Sequence, residues 1–263
     1  MLTEVHVPAD VTTAVGLIAA GGKALGGGTS LLPWLNDYAS PPTELVSLRR
    51  AGLGEIHLVG DTVTIGAAAT LAQVEHDPRL DFLNPVVRSI ASVPVRNLAT
   101  VGGNLFAHQP HGDLAVALVA LDARATVRSR DGAREAPVDE LTAGHGLVTA
   151  VTFAKPAPGT FRYLKASRRV WNSASIVTVA ATITETAGSV TLARVALGGV
   201  APTVVRAPAV EAALTGQPLT AETVAAAAER GLADIAPADD AYASAWYRTR
   251  VFPVHLRRAL LGH

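Results

Sequence analysis

The chain has 263 residues, 49% hydrophobic and 17% charged, with Lys+Arg and Asp+Glu both at 22. That length buries a substantial core and excludes a disordered linker, and the zero formal charge leaves no electrostatic footprint for nucleic acid or an anionic membrane. Cysteine is absent, which excludes disulfides, thiolate zinc sites, cysteine nucleophiles and any iron–sulfur cluster ligated by this chain.

The opening residues MLTEVHVPAD carry no basic segment ahead of an apolar one, and no apolar run reaches the roughly 18 residues of a membrane span, so the reading expects a cytoplasmic protein. Asp10 is placed to cap a helix through VTTAVGLIAA that stops at Gly21-Gly22. KAL then reads as a short strand feeding a glycine run, TELVSL (residues 43–48) as a strand, and EIHLV-GD-TVTIG as a hairpin turning at Gly60-Asp61. Thr70 to Gln73 has capping-box spacing and opens a helix ending before Pro78, and Asn84-Pro85 starts another reaching about Ser92. Residues 113–123, DLAVALVALDA, read as a buried helix capped by Asp113. Strands follow around Asp131-Gly132 and at GLVTAVTFAKP, and KPAPG (residues 155–159) reads as a linker. Three closely spaced strand-like runs, TFRYLKAS, ASIVTVAATITE and SVTLARVALGGV, predict an antiparallel meander, and helical patterns close the chain at residues 207–214, 221–233 and 243–261.

Two glycine segments stand out. In ALGGGTSLLP the residues Gly26, Gly27 and Gly28 precede Thr29 and Ser30; no lysine follows as a phosphate P-loop needs, and the dinucleotide pattern G-x-G-x-x-G fails at Leu31. A backbone cradle for a pyrophosphate is the remaining functional reading, with tight turns as the structural alternative. It needs a second element. VRNLATVGGNLFAHQPHGDL supplies one: Gly102, Gly103 and Asn104 after Thr100 again read as a loop offering bare backbone, which ends where the Asp113 helix begins.

Taken together, ALGGGTSLLP and VRNLATVGGNLFAHQPHGDLAVALVALDA resemble the paired signature of the FAD-binding medium subunit of molybdenum hydroxylases, the xanthine dehydrogenase and carbon monoxide dehydrogenase family. The likeness continues through FRYLKASRRVWNSASIVTVAA into YRTRVFPVHLRRALL. It implies an α+β fold: a two-subdomain FAD-binding module of the vanillyl-alcohol-oxidase (PCMH) type over residues 1–156, divided near residue 52, then a C-terminal domain over 160–263 with a three-stranded antiparallel sheet and helices. It also implies bound FAD, a large partner subunit carrying molybdopterin, a small one carrying [2Fe–2S] clusters, and electron transfer onward to NAD+, oxygen or a quinone-linked acceptor. Carried over by position, Leu25, Gly26, Gly27, Gly28, Thr29, Ser30 and Leu31 would wrap the pyrophosphate and part of the flavin. Thr100, Gly102, Gly103 and Asn104 would form a second cofactor loop, with Asp113 at cofactor hydroxyls and Lys165 near the flavin ring, where a cation favours the anionic reduced form. No residue is assigned acid–base or metal-binding work.

Several features carry plainer readings. Asp113 is equally a helix cap and Lys165 equally an exposed strand lysine. His108 and His111 have metal-pair spacing that Pro110 disrupts, Trp171 reads as a core aromatic or a flavin or subunit contact, and Arg248, Arg250, Arg257 and Arg258 as a solvated face or a docking surface. A stand-alone flavin oxidoreductase and a scaffold that has lost its cofactor are the other functional readings. Cysteine-ligated [4Fe–4S] insertions found in some relatives are ruled out.

Overall fold

The structure is a computed structural model that describes residues 2–35, 42–144, 146–170 and 172–262. Strand β1 (Glu4–His6) leads into helix α1 (Val11–Ala19), whose Asp10 cap accepts a hydrogen bond from the Thr13 N–H at 2.8 Å. Strand β2 (Lys23–Leu25), helix α2 (Leu31–Leu35) and strand β3 (Glu44–Ser47) follow. Because helix α1 carries the chain back between β1 and β2, the strands run parallel: β3 lies centrally, with Leu45 opposite Val5 and Val46 opposite Ala24. Ala14 and Val15 of α1 pack with Val46, Leu48 and Leu53 beneath this sheet.

Strands β4 (Ile56–Val59) and β5 (Thr62–Gly66) form the expected hairpin, with Gly60 at φ +58° in its turn. Helix α3 (Leu71–His76) has the full capping box: Thr70 Oγ1 accepts from the Gln73 N–H at 3.1 Å and the Gln73 side chain accepts from the Thr70 N–H at 2.8 Å. Helix α4 (Asn84–Ser89) stops short of Ser92, since Ala91 takes φ +46° and Pro94 belongs in the first turn of a separate helix, α5 (Val93–Arg96). Helices α6 (Val101–Leu105) and α7 (Asp113–Ala120) precede strands β6 (Arg124–Ser129), β7 (Gly132–Pro137) and β8 (Leu147–Ala154). These complete a five-stranded sheet of order β4-β5-β8-β6-β7.

Residues 155–159 form neither helix nor strand. The meander is then as read: β9 (Phe161–Ser167), β10 (Ser175–Thr186) and β11 (Ser189–Gly198) pair antiparallel, and a two-residue strand β12 (Val205–Arg206) adds a fourth at the edge. Helices α8 (Pro208–Leu214), α9 (Ala221–Arg230) and α10 (Ala245–Leu261) close the described chain. The α9 helix ends before Ala233 because a tighter turn over Gly231–Asp234 replaces it. Among the described residues, no helix is long and apolar enough to cross a membrane.

The chain forms two compact units, one of residues 1–81, 92–107 and 124–153, the other of residues 82–91, 108–123 and 154–263. The second therefore includes α4 and α7. In it, nine consecutive residues of β10, 175–183, are buried, because α7 packs on the meander as well as α10 and a strand covered on both faces is apolar throughout. All eight residues of α7 are buried for the same reason. Phe252, Leu256 and Leu260 recur at helical spacing along α10 and are fully buried in the same core, each contributing roughly 1.5–3 kcal/mol of apolar burial. Replacing Leu256 by alanine is expected to lower the unfolding free energy by about 2–5 kcal/mol through the cavity it leaves, as read from urea denaturation.

Candidate functional site

The first glycine segment bridges β2 and α2 in the N-terminal unit. Gly28 takes φ +75°, a conformation L side chains rarely adopt, and its carbonyl accepts the Leu32 N–H at 2.8 Å. The N–H groups of Gly27, Gly28, Thr29, Ser30 and Leu31 meet no acceptor among the described residues. Gly28 is buried and Gly27 and Thr29 are half-buried. Folded chains pair nearly all their backbone donors, so consecutive unpaired N–H groups beside two hydroxyls form a surface suited to an anion.

The second segment is not the loop its sequence suggests. Two adjacent glycines disfavour helix, yet residues 101–105 form α6 because its first donors are taken one by one. The Val101 N–H donates to the Ala69 carbonyl and the Gly102 N–H to the Ala67 carbonyl, both at 2.8 Å. The Gly103 N–H donates to the capping Thr100 Oγ1 at 3.1 Å, and the Asn104 N–H to the Thr100 carbonyl at 2.9 Å. Gly102, Gly103 and Asn104 therefore offer no bare backbone donors, and Gly102 is required for packing: a β-carbon there would lie 2.9 Å from Ala67 Cβ and 3.0 Å from its carbonyl oxygen.

The two segments touch. A β-carbon on Gly27 would lie 1.7 Å from the Leu98 carbonyl oxygen, and one on Gly26 would lie 2.6 Å from Thr100 Oγ1. No side chain fits between them, so the row of free donors is held directly against the residues that lead into α6.

In the C-terminal unit, Asp113 is the first residue of α7 and not its cap; Gly112, at φ +86°, occupies the cap position. Asp113 Oδ1 accepts from Ser175 Oγ at 2.6 Å and Thr178 Oγ1 at 2.7 Å, and Oδ2 accepts from Lys165 Nζ at 2.9 Å. Lys165 also donates to the Ser89 carbonyl at 2.9 Å. The Lys165 and Asp113 side chains are 7% and 5% exposed, so Lys165 is a buried, paired cation and not an exposed strand lysine. Ser89 Oγ donates to the Val86 carbonyl at 2.7 Å and lies 2.8 Å from the Tyr163 hydroxyl, which leaves Tyr163 as the donor of that bond. Burial, reinforced by the Asp113 charge and only partly offset by Ser89, raises the Tyr163 phenol well above its ordinary pKa.

Residues 2–153 match the family model for the FAD binding domain in molybdopterin dehydrogenase. The chain belongs to this FAD-binding family. Residues 162–262 match the C-terminal domain of the CO dehydrogenase flavoprotein. The carbon monoxide dehydrogenase medium chain of Hydrogenophaga pseudoflava is 30% identical, over 98% of this chain and 95% of that one. Subunit alpha of the 6-hydroxypseudooxynicotine dehydrogenase complex of Paenarthrobacter nicotinovorans is 31% identical, over 97% and 92%. A solved carbon monoxide dehydrogenase from Hydrogenophaga pseudoflava, lacking the Mo-pyranopterin moiety of its cofactor, superposes with a TM-score of 0.93 at 31% identity, covering 99% of this chain and 96% of that one.

Within this FAD-binding chain, the residues assigned from sequence fall into two sets. Leu25, Gly26, Gly27, Gly28, Thr29, Ser30 and Leu31 come together with Thr100, Gly102, Gly103 and Asn104 in the N-terminal unit, while Asp113 and Lys165 bond one another in the C-terminal unit. Sequence reasoning missed Ser175, Thr178, Ser89 and Tyr163. The signal for two of them is the pair of hydroxyls inside the apolar run ASIVTVAA, since antiparallel pairing sets Thr178 opposite Lys165. Arg248, read as solvated or docking, is buried and donates to the Gly199 carbonyl and, at 2.8 Å, to Asp240. Arg250 lies over the exposed Trp246 ring at 5.9 Å. His111 packs edge-on to Tyr242, and burial lowers its pKa; Trp171 lies outside the described residues. Among the described residues, no three His, Cys, Asp or Glu side chains are grouped to hold a metal ion.

Removing Lys165 alone strands the Asp113 carboxylate. Lys165→Met is expected to cost about 3–5 kcal/mol in urea denaturation, and adding Asp113→Asn to recover part of that loss.

Proposed function

We propose that this chain is the electron-transfer subunit of a heteromeric molybdenum hydroxylase and holds one FAD non-covalently. The observation that carries the reading is the run of unpaired N–H groups from Gly27 to Leu31, whose donors, with the Thr29 and Ser30 hydroxyls, match the oxygens of a pyrophosphate. Gly26 and Gly27 keep this run against residues 98–100, and Thr100, Gly102, Gly103 and Asn104 form the second wall through the geometry of α6. Leu25 and Leu31 flank the run at the ends of β2 and α2. Asp113 and Lys165 complete the assigned set within the C-terminal unit, where the carboxylate fixes the ammonium in place.

When bound, FAD supplies the redox chemistry, accepting electrons singly and releasing them in pairs. This chain's residues bind, orient and shield it; no side chain is required as a general acid or base. Substrate oxidation then belongs to a molybdopterin-binding large subunit, and the incoming electrons to a small subunit with [2Fe–2S] clusters. The names of the relatives, a medium chain and a complex subunit, support an assembly of this kind. NAD+, oxygen or a quinone-linked carrier takes the electrons onward.

The test is retention of flavin. Wild-type chain is expected to keep FAD through gel filtration and to show flavin absorbance. Gly28→Val sets a β-branched residue at φ +75°, with its β-carbon 3.0 Å from Leu32 Cδ1, at a strain of roughly 1–2 kcal/mol. It is expected to elute colourless with a near-native far-ultraviolet spectrum. A wild-type chain that takes up no FAD, or a variant that holds it normally, overturns the cradle.

A further inference from the structure

We propose that the buried ion pair Arg96–Glu75 is a positioning pair for FAD, fixing the segment against which the first glycine loop rests. The proposal builds on the FAD reading above. Arg96, the last residue of α5, is 7% exposed, and its Nε donates to Glu75 Oε2 at 2.9 Å; the Glu75 side chain is 14% exposed. Glu75 lies in the last turn of α3. At the other end of α3, Thr70 forms an isolated antiparallel bridge with Thr100, and the Leu71 N–H donates to the Ala99 carbonyl at 2.8 Å. Helix α3 thus grips residues 96–100 at two points, by backbone pairing at its start and by the ion pair about one turn later.

Between those grips lies the Leu98 carbonyl, whose oxygen would sit 1.7 Å from a β-carbon on Gly27. Any drift of residues 97–99 is transmitted to Gly27 and to the donor row behind it, because nothing compressible separates them. A buried ion pair adds little net stability, since desolvation offsets most of its attraction, whereas its directional bond fixes geometry. An apolar pair of similar size would hold α3 and α5 together without fixing the angle at which residue 98 leaves Arg96.

The experiment titrates the full-length chain with FAD, by quenching of flavin fluorescence well below the melting temperature. It compares wild type, Arg96→Met/Glu75→Met and Arg96→Lys. The double variant removes both charges of the pair together, so its cofactor-free melting temperature is expected near wild type, while FAD binds about tenfold more weakly or worse. Arg96→Lys keeps the charge without the guanidinium geometry and is also expected to bind more weakly. In both variants the Leu71 amide is expected to exchange with solvent faster while the β5 amides stay protected, a local loosening that a general loss of stability would not produce. Wild-type affinity in either variant, or exchange that rises equally at Leu71 and in β5, overturns the proposal. A wild-type chain that binds no FAD overturns the functional reading and, with it, the role given to the pair, so the wild-type titration tells the two failures apart.

Discussion

A carbonyl oxygen occupies the space where a side chain on Gly27 would begin. The contact between Gly27 and the Leu98 carbonyl is the constraint on which the N-terminal site depends, because it joins two segments about 70 residues apart in sequence through backbone alone. Everything nearby serves to keep that approach. Gly26 admits Thr100 Oγ1, Thr100 caps α6, and the donors of Val101 and Gly102 anchor α6 to residues 69 and 67. The chain spends donors freely on this anchoring while leaving those of residues 27–31 without an acceptor among the described residues. The asymmetry is informative: in one segment the glycines are required for packing, and in the other they also leave backbone donors open.

The C-terminal unit solves a different problem, how to keep a lysine and an aspartate buried beneath a sheet. Isolated, either charge would cost several kcal/mol. Here Asp113 receives bonds from Lys165, Ser175 and Thr178, and sits in the first turn of α7, where the positive end of the helix dipole favours a carboxylate. Lys165 gains a second acceptor in the Ser89 carbonyl, and Ser89 in turn takes the Tyr163 hydroxyl. The network ties α4, α7, β9 and β10 together with polar contacts inside an apolar core, and this fixes the Lys165 ammonium as rigidly as the backbone around it.

Local rules made much of the fold legible. The Asp10 cap, the Thr70–Gln73 capping box and the turn at Gly60-Asp61 each depend on residues within a few positions, and each appears as read. The apolar runs of β10 and α7 signalled burial for the same reason. The failures are non-local. Residues 101–105 are poor helix formers and become α6 because residues 67 and 69, distant in sequence, accept their donors. Arg248 looks like part of a solvated basic face until the fold brings the Gly199 carbonyl and Asp240 to it. Asp113 has the composition of a cap, yet its carboxylate turns to partners 52 to 65 residues away. In the candidate site itself, glycine spacing marked both segments without distinguishing a glycine needed for packing from one that leaves a donor free.

That distinction bears on how the N-terminal unit can treat an anion. No lysine or arginine lies within residues 24–31 or 97–105, so these loops bring partial charges and hydroxyls in place of full cations. Full charges act over distance and tolerate displacement, whereas N–H groups are short-range and directional. A site built from them works only if the backbone is held in place beforehand, since reorganising it on binding would consume the interaction energy. The glycine contact, the capped α6 and the two-point grip of α3 are the structural expression of that requirement. A neutral cradle needs a rigid frame, and around these loops backbone pairing, the Thr100 cap and the Arg96–Glu75 pair provide one.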